Sequence, residues 1–444
     1  MARRRRRQKL PKDPVNIDIE SLSHEGRGVA HMDGKTLFIS GALAGENVDF
    51  QYTNRRSKFD EGKTLKVHKK SELRVEPKCH FYDLCGGCSL QHMDDSAQIA
   101  HKGSILEEQL AHFGQLEVEN WLEPLTDESW HYRRKARLGV RYVHKKSSVL
   151  VGFRERQSAF ITDIDRCEVL DERVSDLIMP LRELIGSMSI IRDIPQIEVA
   201  CGDADVALVF RHLEAFSDKD LAALKAFAVK HNIQVYTQSG GPSTVTKLYP
   251  EEGPDRLYYQ LSEFDLTMGF HPMDFTQVNQ GINIKMMHRA MKMLDAQPED
   301  RVLDLFCGLG NFSLPIARHA GHVTAVEGDQ QMVERGTENA RLNQLDNIEF
   351  FQADLQGEFY NEPWAEQGFD KLLIDPPRSG ALEICEHLHK FNARRIVYVS
   401  CNPATLARDA EVLCRQGYQL ISAGVMDMFP HTAHVESIAL FERS

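Results

Sequence analysis

Apolar and polar positions change period along this chain. In the first seventy residues the apolar positions come in short runs, with strict alternation from Val15 to Ile19 and two further strand-like runs at Thr36–Ile39 and Val48–Tyr52. Gly26, Gly28, Gly34, Gly41 and Gly45 punctuate them. Short strands, frequent turns and lysine-rich edges predict a small β-barrel of the oligonucleotide-binding sort at residues 13–72. Residues 94–112 carry Ile99, Ile105, Leu106 and Leu110 near helical spacing. Strand patterning returns from Tyr132 to Leu170, a helix is expected over Glu172–Met188, and a hairpin over Ile197–Phe210 should turn at Gly202-Asp203. Ser217 is placed to cap a helix through Lys230, and strands resume from Ile233 to Phe270. Residues 73–275 therefore read as a central α+β domain.

After residue 276 helices and strands alternate. The pattern predicts helices at 281–294, 311–319 and 330–342, with strands at 301–306, 322–327, 347–351, 370–374, 395–399 and 435–441. Strands separated by helices imply a parallel, doubly wound sheet, so residues 276–444 are expected to form a Rossmann-like domain. The fold class is α/β and multidomain, which a length of 444 residues also favours.

Composition narrows the function. No apolar run approaches the ~18 residues of a membrane span, and the basic amino end, residues 1–12, reads as a flexible tail with no secretory apolar segment behind it. A cytoplasmic protein with no membrane role and no evident obligate protein partner is expected. The net charge of −12 argues against nucleic acid, but the basic residues are unevenly placed. Arg3 to Arg7 is unbroken, Arg55, Arg56, Lys58, Lys63, Lys66, Lys69 and Lys70 follow, and Arg133, Arg134, Lys135, Arg137 and Arg141 form a third group. Local stripes of this kind are what meet phosphates. Nine cysteines in such a chain favour metal or catalytic roles over disulfides.

The chemistry collects around Arg301–Phe312, RVLDLFCGLGNF, a buried strand containing Asp304 followed at once by Gly308 and Gly310. A strand, a glycine turn and a helix N-terminus is how an open α/β sheet holds a nucleotide-like ligand. Glu327 closes the next strand and can accept hydrogen bonds from ribose hydroxyls, and Asp354 closes the one after, within reach of an adenine amino group. The third small position of a dinucleotide fingerprint is Ser313, and no second nucleotide-binding half follows, so the set favours S-adenosylmethionine over NAD.

Two further strand ends supply reacting groups. Leu372–Ile374 runs into Asp375-Pro376-Pro377-Arg378, where Arg378 replaces the aromatic residue that enzymes methylating exocyclic amines stack on their target. Ile396–Val399 runs into Ser400-Cys401-Asn402-Pro403, which puts Cys401 at the same edge as a candidate nucleophile. Glu436 opens the last strand as a candidate general base. A thiol and a carboxylate beside a methyl donor suit addition to C6 of uracil, methylation of C5 and removal of the C5 proton. The target base must leave its stack first. Phe275 could then stack on it, with Gln277 and Asn279 as polar neighbours.

The motifs FTQVN, DLFCGLGNFSLPIA, DPPRSG, SCNPATLARD and HVESIALFER occur in order, and with them the sequence resembles the RNA uracil-C5 methyltransferase family. The resemblance implies Cys401 as nucleophile, Glu436 as base, and S-adenosylmethionine contacts at Gln277, Phe306, Asn311, Glu327, Asp354 and Asp375. By spacing alone, Cys79, Cys85, Cys88 and the later Cys167 suit zinc or an iron–sulfur cluster. The resemblance implies a [4Fe–4S] cluster on these four, a TRAM barrel at the amino end (GRGVA, GALAGE), and 23S ribosomal RNA as partner. Two rival readings are an RNA cytosine-C5 methyltransferase, whose base is an aspartate before a proline-cysteine pair that DPPRSG lacks, and a non-catalytic iron–sulfur RNA-binding protein, which complete catalytic motifs disfavour.

Overall fold

The computed structural model describes residues 10–357 and 359–443; the Arg3–Arg7 run and the tail expected there lie outside the described residues. The chain separates into two compact units. One comprises the residues up to Lys102 together with Phe429–His434, the other Gly103–Met428 together with Val435–Ser444.

The first unit contains a six-stranded sheet: β1 (Val15–Asp18), β2 (Ser21–Leu22), β3 (Gly28–Met32), β4 (Lys35–Ser40), β5 (Asn47–Arg55) and β6 (Phe59–Lys69). Their order is β1-β5-β6-β4-β3-β2, and β4 runs parallel to β6 while the other pairs are antiparallel. Alternation along β4 turns Leu37 and Ile39 inward onto Ala30, Val48 and Phe50 and leaves Phe38 outward. Gly62 is required inside: a Cβ there would lie 2.5 Å from the Phe50 ring. The expected small all-β unit is present, at the predicted strands.

In the second unit, a six-stranded sheet takes its order from Val245–Tyr249 through Gln234–Gln238, Val206–Arg211, Gln196–Cys201 and Lys135–Val143 to Ser148–Gly152. The hairpin turning after Cys201 is as expected, and Ser217 caps helix Asp218–His231 in a capping box with Asp220. The single helix expected over Glu172–Met188 is two, Glu172–Ser175 and Ile178–Gly186. Pro180 has no N–H to offer the carbonyl of Asp176, so the first helix cannot continue through it.

The second sheet of this unit carries the glycine turn. Its strands are β7 (Arg301–Leu305), β8 (His322–Glu327), β9 (Ile348–Gln352), β10 (Lys371–Ile374), β11 (Arg395–Ser400), β12 (Gln419–Met426) and β13 (Glu436–Glu442). The order is β9-β8-β7-β10-β11-β13-β12, with Asn120–Trp121 on the outer edge. Four helices concern the site: α1 (Gln280–Leu294), α2 (Ser313–Ala317), α3 (Gln330–Leu342) and α4 (Pro403–Arg415). The sheet is not wholly parallel, as the alternating pattern predicted. β13 lies antiparallel between β11 and β12. The chain crosses from β11 through α4 to β12 and then turns back without a helix, which reverses the last strand. α2 is shorter than the expected 311–319 and spans Ser313–Ala317.

Candidate active site

Five parallel strands end at one edge, and the antiparallel β13 begins there. That edge collects Phe306 after β7, Glu327 at the end of β8, Asp354 shortly after β9, Asp375 after β10, Cys401 after β11 and Glu436 at the start of β13. Ligands bind at this carboxyl edge in open α/β sheets.

Register brings the two reacting candidates together. Ser400 pairs with Ser437 across β11 and β13, and Ser437 Oγ donates to Ser400 O at 3.2 Å. The ladder ends with that pair; Cys401 is the next residue after β11 and Glu436 the first of β13, and the Glu436 carboxylate acts electrostatically on the Cys401 thiol. Cys401 sits in a tight turn. Asn402 N donates to Ser400 Oγ at 3.1 Å, Asn402 Oδ1 caps α4 by accepting from Ala404 N at 3.2 Å, and Pro403 starts the helix. The thiol therefore lies just outside a helix N-terminus, a position that favours a thiolate.

Burial works the other way. Desolvation, joined by the carboxylates of Glu436 and Asp375 and opposed by Arg378, pushes the Cys401 thiol up to about 11. Desolvation alone raises the half-buried Asp375 to about 7. The fully buried Asp304 is raised to about 8 by desolvation, with Asp375 and Glu327 adding to it.

The glycine turn fits a nucleoside-bearing methyl donor. Phe306 and Gly308 both have positive φ, 63° and 54°, and a Cβ on Gly308 would meet nothing within 4 Å, which leaves room for a ligand against the backbone. Glu327 accepts from Gly308 N at 3.0 Å through one oxygen and from Gly328 N at 2.7 Å through the other, so the acid that would receive ribose hydroxyls also shapes the turn. Beneath it, Ser313 Oγ donates to Asp304 Oδ2, while Asp304 Oδ1 is buried with no hydrogen-bond partner. Asp354 is exposed and accepts from Gln356 N at 3.0 Å.

Asn311 is fixed by Asn283, a residue the sequence reading missed. Asn311 Nδ2 donates to Asn283 Oδ1 at 2.9 Å, and Asn283 Nδ2 donates back to Asn311 Oδ1 at 3.1 Å. Tyr259 Oη adds a third bond to Asn311 Oδ1 at 3.1 Å. Asn283 lies one helical turn after the α1 cap Asn279, a spacing that could have drawn attention to it. Gln277 is half-buried, and Phe275 beside it is 71% exposed. Lys135 holds this loop by donating to the carbonyls of Pro272, at 3.0 Å, and Asp274. A lysine grouped by sequence with a phosphate-facing stripe thus points inward, where burial lowers its amine to about 8.

Asp409 was also missed. From inside α4 it accepts from Ala381 N at 2.7 Å, Tyr398 Oη at 2.6 Å and Arg408 Nε at 2.8 Å, which ties the loop after Asp-Pro-Pro-Arg to the strand leading to Cys401.

In the first unit Cys79, Cys85 and Cys88 are half-buried on one short loop, and Gly87 N lies 3.4 Å from Cys85 Sγ. In the second, the half-buried Cys167 donates its backbone N–H to Ser175 Oγ at 2.9 Å. Among the described residues, no three His, Cys, Asp or Glu side chains gather as a site for a metal ion.

Comparison with known proteins bears on both units. Residues 94–444 match the family model of tRNA (uracil-5-)-methyltransferases, and residues 13–65 match the TRAM domain. The 23S rRNA (uracil(1939)-C(5))-methyltransferase RlmD of Hahella chejuensis is 54% identical over 99% of this chain and 100% of its own length. The enzyme of the same name from Alcanivorax borkumensis is 53% identical over 99% of each. Among solved structures, the tRNA (uracil-54, C5)-methyltransferase of Pyrococcus abyssi in complex with S-adenosyl-L-homocysteine superposes with a TM-score of 0.75 at 24% identity, covering 96% of this chain and all of its own, and so shares the fold. With a family model spanning most of its length and relatives above half identity end to end, the chain belongs to the tRNA (uracil-5-)-methyltransferase family and carries a TRAM domain at its amino end.

Proposed function

We propose that this protein methylates C5 of a uridine in 23S ribosomal RNA through a covalent adduct on Cys401. The observation that supports the reading is the Ser400–Ser437 pair, which leaves Cys401 and Glu436 as the adjoining residues at the edge bearing the glycine turn. The Cys401 thiolate adds to C6 of uracil, and the C5=C6 electron pair moves onto C5. S-adenosylmethionine, when bound, would supply an electrophilic methyl group to C5, its sulfonium sulfur keeping the electron pair of the broken bond as a neutral thioether. Once C5 carries that methyl, Glu436 removes the remaining C5 proton, the electron pair re-forms C5=C6, and the thiolate departs. The N-terminus of α4 and Arg378 favour the thiolate against the burial that suppresses it. Gln277, Phe306, Asn311, Glu327, Asp354 and Asp375 line the methyl donor in this reading. The open space at Gly308 and the orphaned Oδ1 of Asp304 support a ligand there. Phe275 stacks on the extruded base.

The same reading assigns a [4Fe–4S] cluster to Cys79, Cys85, Cys88 and Cys167. Its supports are the cysteine spacing and the Gly87 amide directed at the Cys85 sulfur. No catalytic step uses it. Iron and sulfide analysis of the purified protein should find both, and Cys79→Ser should lose them; iron-free protein with full activity would remove the cluster. In this reading the protein works in the cytoplasm, and none of its described helices is long and apolar enough to cross a membrane.

The test of the function is transfer of labelled methyl from S-adenosylmethionine to ribosomal RNA lacking the modification, followed by digestion to nucleosides. The product expected is 5-methyluridine. Label in 5-methylcytidine would overturn the reading in favour of a cytosine enzyme.

A further inference from the structure

On the outer side of the barrel, β4 and β6 lie side by side with Thr36 opposite Phe59 and Phe38 opposite Glu61. The alternation that buries Leu37 and Ile39 turns Phe38 away from the core, and Phe59 joins it. The two rings meet edge to face, with centroids 5.5 Å apart at 78°. Each is covered by a guanidinium: Arg27 Cζ lies 4.8 Å from the Phe38 centroid, and Arg56 Cζ lies 5.3 Å from that of Phe59. Glu61 anchors both arginines, at 3.1 Å from Arg27 Nη1 and 3.7 Å from Arg56 Nε, and Asn54 Nδ2 donates to Glu61 Oε2 at 2.8 Å. Arg27 Nη2 also pairs with Glu25 at 2.5 Å, so the patch is an assembled row of planar groups, arginine, ring, ring and arginine, with Glu61 shared between its two ends.

Its surroundings are basic although the chain is acidic. Lys35 and Arg55 share the buried Asp60, each at 3.2 Å, and Lys58 stands exposed in the intervening turn. A core role does not explain the row, because the barrel core is closed by other side chains. Phosphate neutralisation alone would need the cations but not the rings. Planar π-faces and guanidinium planes, fixed side by side on a basic surface, are what successive unpaired bases stack on. A duplex hides those faces.

We infer that Arg27, Phe38, Phe59 and Arg56 form a stacking platform for unpaired bases of the RNA, so the segment engaged by the barrel is single-stranded. The inference rests on RNA being the substrate and adds the conformation of the RNA and the residues that read it. Lysines around the platform meet the phosphates, which are oriented outward when the bases stack.

The test uses the full-length protein and a ribosomal RNA fragment carrying the target uridine, with 2-aminopurine at successive unpaired positions. Stacking on the platform quenches 2-aminopurine fluorescence. The wild-type protein should quench at one or more positions, and Phe38→Leu with Phe59→Leu should abolish that quenching and weaken binding about 5- to 100-fold. The exposed Arg56→Gln tests the same platform without touching the packed rings. It should weaken binding several-fold and reduce the dependence of affinity on salt. Equal binding and quenching by both variants and wild type would overturn the inference, as would a duplex that competes as well as the single strand. Binding needs no methyl donor, so loss of quenching in a protein that methylates no uridine would uphold the platform and reject the catalytic reading instead.

Discussion

The carboxyl edge of the methyltransferase sheet and the outer face of the barrel both concentrate ionisable groups, and they treat charge in opposite ways. At the sheet edge, desolvation dominates and disfavours the charged forms: Asp304 is raised to about 8, Asp375 to about 7 and Cys401 to about 11. On the barrel, Arg27 and Arg56 stand in partly exposed ion pairs with Glu61, and the same carboxylate serves both. Burial makes the first region selective about when a group ionises, which is what a nucleophile needs if it is to react only with a seated base. Exposure makes the second region a permanent cationic surface, which suits a long, flexible polyanion. One region is built for a reaction and the other for a grip.

Substitutions should separate the two most sharply at the thiol. Cys401→Ala should lower methyl transfer by at least about 1,000-fold, because C5 is a poor nucleophile without the adduct. Binding of RNA should be retained, and a gel-shift titration beside the methylation assay checks both. Glu436→Gln should lower turnover by about 100- to 10,000-fold, and it should do so after methyl transfer, so that protein–RNA adduct accumulates on denaturing gels. An inactive Glu436→Gln protein with no adduct would move Glu436 to an earlier step.

The pH dependence follows from the same burial. The reacting form is the thiolate, and its ordinary pKa is raised to about 11. From pH 7 to pH 9, kcat/KM should therefore rise, by up to about tenfold per pH unit. Stability should move the other way. A folded carboxyl raised to about 8 is neutral in the folded state while the unfolded chain has already lost its proton above about 4. Stability contributed there is complete below pH 4 and falls as pH rises to 8, by at most about 1.4 kcal/mol per pH unit for one group. Urea unfolding at pH 5, 6.5 and 8 should show this decline, and Asp304→Asn should flatten it without removing the share from Asp375. Arg56→Gln on the barrel should change stability by less than about 1 kcal/mol, because its ion pair is exposed.

The sequence exposed the strand ends well and the supports behind them poorly. Cys401, Glu327, Asp354 and Asp375 are legible because an apolar run stopping at a polar residue marks the carboxyl edge of a buried strand. Glu436 was found for the same kind of reason although its strand runs the other way, since an antiparallel strand begins where its neighbours end. Its direction was not legible, because α4 and β12 were needed to see that the chain turns back. Asn283 and Asp409 were missed because each acts through a tertiary partner far away in sequence, Asn311 and Ala381. Lys135 misled by its neighbours, since a basic run shows charge but not the side of the strand each residue takes. The barrel platform escaped for a related reason. Alternation marks Phe38 as outward, but only the pairing of β4 with β6 reveals that Phe59 stands beside it.

The proposed reaction turns on a covalent bond between one sulfur and the pyrimidine ring. Replacing the target uridine of the ribosomal RNA fragment by 5-fluorouridine removes the C5 proton that the base must take and should arrest the reaction at the adduct. Protease digestion and mass spectrometry should then find the methylated fluorouridine attached to the peptide containing Cys401, and Cys401→Ala should yield none. An adduct on any other residue, or one that forms in Cys401→Ala, would contradict the mechanism.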